Sequence, residues 1–151
     1  MLLSKGANGL NSYNQVAVQT DANTASPHKL IQMLMEAALD KIAKAKGLIE
    51  NKQIAEKGKQ IGTVVSIVDA LRASLDHNVG GEISANLDAL YDYMIRKLTE
   101  ANATNDVNLL DEVSKLIREI KVGWDAIPLE IQNAHENAQI QGQSTEDNTA
   151  A

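Results

Sequence analysis

The chain has 151 residues, a length that predicts one domain with a single hydrophobic core. Fourteen basic and twenty acidic residues give a net charge of −6, so the composition lacks the basic surplus typical of nucleic-acid-binding proteins. The absence of Cys excludes disulfides, thiolate metal sites and cysteine nucleophiles. Because the chain shows neither a signal-peptide pattern nor an apolar run near the roughly 18 residues of a membrane span, we predict a cytoplasmic protein without direct membrane insertion.

The composition divides the chain into three segments. Residues 1–25 are rich in Asn, Ser, Gly and Thr, and we predict a flexible N-terminal segment whose apolar residues are Tyr13, Val16 and Val18. Residues 26–127 are predicted to form a helical domain. Residues 128–151 are predicted to form a short helix or extension and then a disordered tail, because the last part is polar and poor in apolar residues.

Two helices are predicted in the first half of this domain. Ser26 suits an N-cap and Pro27 suits the first helical position, where its missing amide hydrogen is not needed. Apolar residues then recur at threes and fours, first at Leu30, Ile31, Leu34, Ala38, Ile42, Ala45 and Ile49, and after a break at Asn51 and Lys52 again at Ile54, Ile61, Val65, Val68, Leu71 and Leu75. Residues 29–60 carry seven Lys against four acids, which is typical of a solvated helix face.

Two further helices are predicted in the second half. The stretch "HNVGG" ends the second helix near Asp76, and the third helix is predicted from about Glu82 to Ala101. Asn105 or Asp106 can cap a fourth helix, which Pro128 ends and whose apolar residues are Val107, Leu110, Val113, Ile117, Ile120, Trp124 and Ile127. Four amphipathic helices with short connections predict an all-α, antiparallel up-and-down four-helix bundle.

No catalytic motif or metal-ligand spacing is present in the sequence. His28, His77 and His135 are far apart, and none has the Glu-x-x-His spacing of metal ligands in helical bundles. We therefore predict no enzyme activity, no metal and no cofactor. One alternative from another class is a His-containing phosphotransfer bundle, which needs only one exposed His on a helix, and for which His28 and His77 are the candidates.

The third helix has a wide apolar face. Its core direction is defined by Ile83, Leu87 and Met94, and Tyr91 and Ile95 lie progressively further to one side at about 100° per residue. A helix that contacts two neighbours needs such a wide face, but a groove for an amphipathic partner helix needs one as well. Periodicity favours the core for these residues and leaves the groove open. Tyr93 lies on the opposite flank.

Three segments of the chain resemble a known family. They are "SPHKLIQML" at the start of the first helix, "LRASLDHNVGGEISANLDALYDYMIRKLTEAN" from Leu71 to Asn102, and "VGWDAI" from Val122. Together with "YNQVAVQ" they resemble the flagellin export chaperones of bacteria, the FliS family, over residues 13–127. Where an aromatic residue, an acid and Gly are common in the family, this chain has Met35, Glu36 and Ala37, so it departs from the pattern at Met35 and Ala37.

The resemblance implies a helical bundle that binds the disordered C-terminal segment of flagellin, prevents premature polymerisation and assists its secretion by the flagellar export apparatus. A flagellar export-gate component and other flagellar regulators are further partners that it implies. With this function we predict a client-binding surface at Leu34, Leu87, Tyr91, Ile95 and Leu98. The resemblance also implies that Tyr13, Val16 and Val18 form a cap over part of this surface.

Overall fold

The computed structural model describes residues 26–132, and within that range it contains five complete α-helices and no strand. They are α1 (Pro27–Glu50), α2 (Ile54–Ala73), α3 (His77–Gly80), α4 (Glu82–Thr104) and α5 (Val107–Asp125). Residues 129–132 begin a further helical turn after Pro128. None of the helices in residues 26–132 is both long and apolar enough to cross a membrane.

The four long helices form a bundle in which each helix packs against two others. α1 contacts α2 and α5, and α4 contacts the same two helices from the other side. The connections at residues 51–53 and 105–106 are so short that the helices they join run antiparallel. The predicted all-α, antiparallel up-and-down four-helix bundle is confirmed. We call the end of the bundle that contains α3, the first turns of α1 and α4 and the last turns of α2 and α5 the α3 end.

Side-chain caps define where α1 and α5 begin. The Ser26 hydroxyl accepts a hydrogen bond from the backbone N–H of Lys29 at 3.1 Å, as expected for the N-cap of α1. Asp106 caps α5 by accepting from the N–H of Asn108 at 2.9 Å. Asn105 instead ends α4 in the left-handed conformation, with φ 56°, which Asn tolerates better than most residues. The two candidate caps of the sequence therefore serve different helices.

The connection between α2 and α4 contains the one-turn helix α3, which the sequence pattern did not predict. The Asp76 carboxylate accepts hydrogen bonds from the N–H groups of Asn78 and Val79, at 3.0 and 3.1 Å, and so begins a new helix. The Ser84 hydroxyl donates to the Asp76 carbonyl at 2.9 Å and holds this turn against α4. α2 consequently ends at Ala73, before the predicted boundary, because Asp76 caps the next element.

The core lies along the bundle axis and is almost entirely aliphatic. Its largest fully buried side chains come from all four long helices and are Leu34, Met35, Ile42, Ile61, Val64, Ile67, Val68, Leu71, Met94, Leu98, Leu110 and Ile117. α2 differs from its predicted stripe, because Val64 and Ile67 are buried whereas Val65 is half-buried and Ile54 is 47% exposed. α2 packs against both α1 and α4, so its buried residues cover a wider arc than one stripe.

One lysine of the predicted solvated face is buried. Lys57, on α2, is only 3% exposed, and its ammonium donates to the Asn102 carbonyl and to Oδ1 of Asn105, both at 2.7 Å. These acceptors belong to the last turn and the C-cap of α4, where the helix dipole favours a cation. Lys57 thereby joins the start of α2 to the end of α4.

Candidate functional site

The five residues predicted for the client-binding surface occupy different depths in the structure. Leu34 and Leu98 are 0% exposed and Tyr91 is 3% exposed, so all three lie in the core. Leu87 and Ile95 are half-buried and pack on the outside of that core. A partner could contact the first three only if the helices separated. We therefore assign them to the core beneath the surface and retain Leu87 and Ile95 as accessible candidates.

Ile95 lies on the side of α4 that faces α2. Arg72 of α2 pairs with Asp88 of α4 near one end, and Lys57 contacts Asn102 near the other. In the antiparallel register that these two contacts set, Val65 of α2 lies opposite Ile95, and both side chains are half-buried. Their outer edges form a shallow apolar strip between α2 and α4.

Gly62 lies three residues before Val65 on α2 and adds no side chain to this part of the surface. It is exposed, and a Cβ placed on it would have no described atom within 4 Å. Gly58 differs, because a Cβ there would come within 3.8 Å of the Asn102 side chain, an ordinary contact distance. Neither glycine is thus required for close helix packing by the described residues, and Gly62 leaves room at the surface.

The two tyrosines of α4 point to different neighbours. Tyr91 faces the core, and burial raises the pKa of its phenol to about 12. The Tyr93 hydroxyl donates to the Glu112 carboxylate of α5, and this hydrogen bond raises the Tyr93 pKa. Lys97 also lies 5.4 Å from the centre of the Tyr93 ring. Tyr93 therefore belongs to the α4–α5 edge, on the opposite side of α4 from Ile95.

The most exposed apolar side chains are concentrated at the α3 end. Val79 of α3 is 70% exposed and Ile83 of α4 is 71% exposed. Val122, in the last turn of α5, is 71% exposed, and Leu129 and Ile131 follow that helix with 68% and 59%. Among the large apolar side chains that are strongly exposed in residues 26–132, Ile54 alone lies at the opposite end.

Ile83 shows that the core is uncovered at the α3 end. Ile83, Leu87, Met94 and Ala101 recur at spacings of four and seven residues and so share the core-facing side of α4. Met94 and Ala101 are 0% exposed, Leu87 is half-buried and Ile83 is 71% exposed. Exposure thus increases along one helix face toward the α3 end. Within residues 26–132 the bundle has an open apolar end, formed mainly by Val79, Ile83 and Leu87.

Sequence periodicity placed Ile83 in the core because a helical wheel has no information about where the neighbouring helices stop. The signal that could have placed it differently is its position directly after Gly80 and Gly81, in the first turn of α4. Gly81 adopts φ 51°, a conformation that glycine favours, and begins α4 without a side-chain cap. A core-facing residue in such a first turn lies at the bundle end, where coverage by other helices is lowest.

Charged residues border the apolar strip on one side. Arg72 donates to the Asp88 carboxylate at 2.7 and 3.2 Å and also lies 3.4 Å from Asp92, which in turn pairs with Arg96 at 3.2 Å. The hydrogen bond from Arg72 lowers the pKa of Asp88. These partly exposed pairs orient α2 on α4, and each contributes little to stability by itself.

A solved structure shares this fold. A structure described as "Crystal structure of flagellar chaperone from bacteria" superposes with a TM-score of 0.62 and covers 82% of this chain and 94% of its own. With 19% sequence identity, this likeness establishes the fold, a helical bundle of the flagellar-chaperone type.

Sequence comparisons identify the family. The family model "Flagellar protein FliS" matches residues 9–131. The flagellar secretion chaperone FliSB of Pseudomonas aeruginosa is 49% identical over 118 residues, which cover 78% of this chain and 94% of the relative. FliS of Vibrio cholerae is 42% identical, covering 82% and 91%, and FliS of Bacillus subtilis is 35% identical, covering 78% and 87%. The chain belongs to the FliS family of flagellar secretion chaperones, and the resemblance found in the sequence is confirmed.

The comparisons lend no support to the alternative of a phosphotransfer bundle, since the matched relatives are named as chaperones. The two histidines also differ from each other in access. The His28 ring stacks on Trp124 and its Nε2 is buried, whereas His77 is exposed in α3. His135 lies outside the described residues.

Proposed function

We propose that this protein is a cytoplasmic export chaperone that binds the disordered C-terminal segment of flagellin. In this proposal it prevents premature polymerisation of flagellin and assists its delivery to the flagellar export apparatus. Membership of a family of flagellar secretion chaperones supports the class of function. The observation that carries the binding step is Ile83, a core-facing side chain that is 71% exposed at the open α3 end.

The proposed binding surface begins at Val79, Ile83 and Leu87 and continues along the strip between Val65 and Ile95. Its apolar side chains suit a client segment that becomes an amphipathic helix on binding and presents its apolar face to the bundle. Ordering a disordered client costs about 2 to 5 kcal/mol, and the burial of its apolar residues offsets this cost. The buried residues Leu34, Tyr91 and Leu98 support the surface from beneath.

We also propose that the segment containing Tyr13, Val16 and Val18 caps part of this surface and competes with the client. Residues 1–25 are outside the described range, but they join the bundle at Ser26, the first residue of the α3 end. The apolar residues of the segment are therefore connected to the same end that exposes Val79 and Ile83.

Further proposed partners are a flagellar export-gate component and other flagellar regulators. The proposed activity involves no catalysis, cofactor or nucleic acid.

Calorimetry with a peptide tests the central proposal. The peptide comprises about forty residues from the C-terminus of the cognate flagellin, a length that allows several helical turns to contact the bundle. We expect binding with a negative heat-capacity change, because apolar surface is buried. No detectable binding at low and at moderate salt would refute the proposal.

Two matched isoleucine variants locate the surface. Ile83→Ala should weaken peptide binding by at least about 5-fold, the effect of losing an apolar contact worth about 1 kcal/mol. Ile54→Ala removes an equally large exposed side chain at the opposite end, and should change binding by less than about 2-fold. Both variants should keep the free energy of unfolding within about 0.5 kcal/mol, measured by urea denaturation. Equal binding losses in the two variants would contradict a surface at the α3 end.

A further inference from the structure

The start of α1 and the end of α5 are joined by an aromatic contact. The imidazole of His28, the second residue of α1, stacks on the indole of Trp124 with ring centroids 4.6 Å apart and an angle of 8° between the planes. The indole Nε1 also donates a hydrogen bond to the backbone carbonyl of His28 at 3.0 Å. Trp124 thus contacts both the side chain and the backbone of His28, and it is the only Trp of the chain.

The indole face by itself attracts a cation, but the buried Nε2 of His28 favours a neutral imidazole over a charged one. Nε2 of His28 is buried and has no hydrogen-bond partner among the described residues. An imidazolium carries an N–H on each ring nitrogen, so protonation would place a donor or a charge where no acceptor is available. The position in the first turn of a helix adds to this, because the helix dipole disfavours a cation there.

The charged groups around His28 only partly offset its preference for the neutral imidazole. From α5, the Asp125 carboxylate attracts a proton on His28, but it is already bonded to Gln32 and to Lys121, and Lys121 also pairs with Glu36 of α1. On α2, the other helix packed on α1, Arg72 is paired with Asp88. The Asp69 carboxylate also attracts the Arg72 guanidinium. Burial outweighs the attraction of Asp125 and lowers the pKa of His28 below its ordinary value of 6.5.

We propose that the His28–Trp124 contact is an acid-sensitive junction that holds α1 to α5 while the imidazole is neutral and loosens when it is protonated. Protonation separates the imidazole from the indole and carries its nitrogens toward water. The first turn of α1 and the last turn of α5 then lose their aromatic contact, while the Gln32–Asp125 hydrogen bond remains. The proposal goes beyond client binding and needs no client for its test.

Fluorescence of Trp124 in the full-length chain reports on this junction directly. Emission is recorded from about pH 8 to about pH 5, the range in which histidine changes charge, with far-UV circular dichroism of the same samples. We expect one change in emission with an apparent pKa below 6.5 while the helix signal remains constant. No change in emission, a midpoint at or above 6.5, or a simultaneous loss of helix would overturn the proposal.

Two histidine variants assign the titration. His28→Phe keeps an aromatic ring next to Trp124 but does not titrate, so the change in emission should disappear. His77→Gln removes the exposed histidine of α3 and should leave the change as it is in the natural chain. A titration that survives in His28→Phe, or one that is lost in His77→Gln, would contradict the assignment.

Proton NMR of the natural chain provides a test that does not depend on the folding of a variant. The C–H resonances of the three histidine rings are followed over the same pH range and assigned with His77→Gln and His135→Gln. The His28 resonance should titrate with a midpoint below 6.5. A His28 midpoint at or above 6.5 would overturn the proposal irrespective of how His28→Phe behaves.

Discussion

Two residues of one type have different environments because of their position on α4. Tyr91 and Tyr93 are two residues apart, which separates their directions by about 200° on a helix. Tyr91 faces the side of α2 and is enclosed by the core, whereas Tyr93 faces α5 and bonds to Glu112. The sequence predicted the two directions correctly. It predicted that Tyr91 lies at the border between core and surface, whereas the structure buries Tyr91 in the core. The prediction and the structure differ because a helical wheel of α4 does not include α2, which packs on this helix.

The buried phenol of Tyr91 predicts a loss of stability at high pH. Its pKa is about 12 in the folded state and about 10 in the unfolded chain, so above about pH 10 only the unfolded state releases this proton. The free energy of unfolding should therefore fall as the pH rises from about 10 to about 12, by up to about 1.4 kcal/mol per pH unit from this group. Tyr91→Phe should reduce that slope, as measured by urea denaturation at several pH values. An unchanged slope in Tyr91→Phe would contradict the burial of the phenol.

At the scale of the helices, the pairing of α2 with α4 depends on polar contacts at both ends. Arg72 pairs with Asp88 near one end, and the buried Lys57 contacts Asn102 and Asn105 near the other. The Lys57 contact is not an ion pair, because its acceptors are the backbone carbonyl of Asn102 and the side chain of the C-cap Asn105. A buried ammonium with these acceptors sets the register of the two helices, and with it the position of Val65 opposite Ile95.

Replacing Lys57 tests this contact. Lys57→Met keeps most of the aliphatic chain but removes the charged hydrogen bonds from the buried ammonium to the Asn102 carbonyl and to Oδ1 of Asn105, which should cost about 1 to 3 kcal/mol of unfolding free energy. Lys59→Met is the matched control, because Lys59 is exposed and pairs only with Glu56 in its own helix, so its effect should stay within about 0.5 kcal/mol. Thermal or urea unfolding measures both variants. Equal effects would mean that Lys57 contributes no more than a surface lysine.

At the scale of the whole molecule, the bundle formed by residues 26–132 packs its core along the sides and exposes apolar side chains at the α3 end. Exposure increases along one face of α4 from Met94 to Leu87 and Ile83, and Val79 extends the apolar surface onto α3. The chain enters the bundle at this end, because Ser26 caps α1 there. A client and the N-terminal segment could both bury Ile83, and in that case binding of one would exclude the other.

Deletion of residues 1–22 tests the proposed competition. If Tyr13, Val16 and Val18 cover the α3 end, their removal frees the surface and should tighten binding of the flagellin peptide, because the client no longer displaces a bound segment. The deletion retains Ser26 and therefore the N-cap of α1. Calorimetry with the same peptide measures the change. Unchanged or weaker affinity would contradict the cap but would leave the client-binding proposal in place.

The sequence alone determined the four long helices, the fold class and the family. Spacings of three and four residues predicted the four long helices, Ser26 and Pro27 predicted the start of α1, and the segment from Leu71 to Asn102 carried the family resemblance. These features are local, since helix periodicity and capping depend on residues within a few turns of each other. For the same reason the helix boundaries at α2 and α4 were predicted only to within a few residues.

Only the tertiary structure decided which apolar residues are accessible. Leu34, Tyr91 and Leu98 are buried and Ile83 is exposed, although all four lie on apolar helix faces. The burial of Lys57 and the stacking of His28 on Trp124 likewise join residues that are distant in sequence. A helical wheel gives the direction of a side chain but not the length or position of the helix beside it. Exposure depends on those neighbours, so the open α3 end became visible only when the helices were packed together.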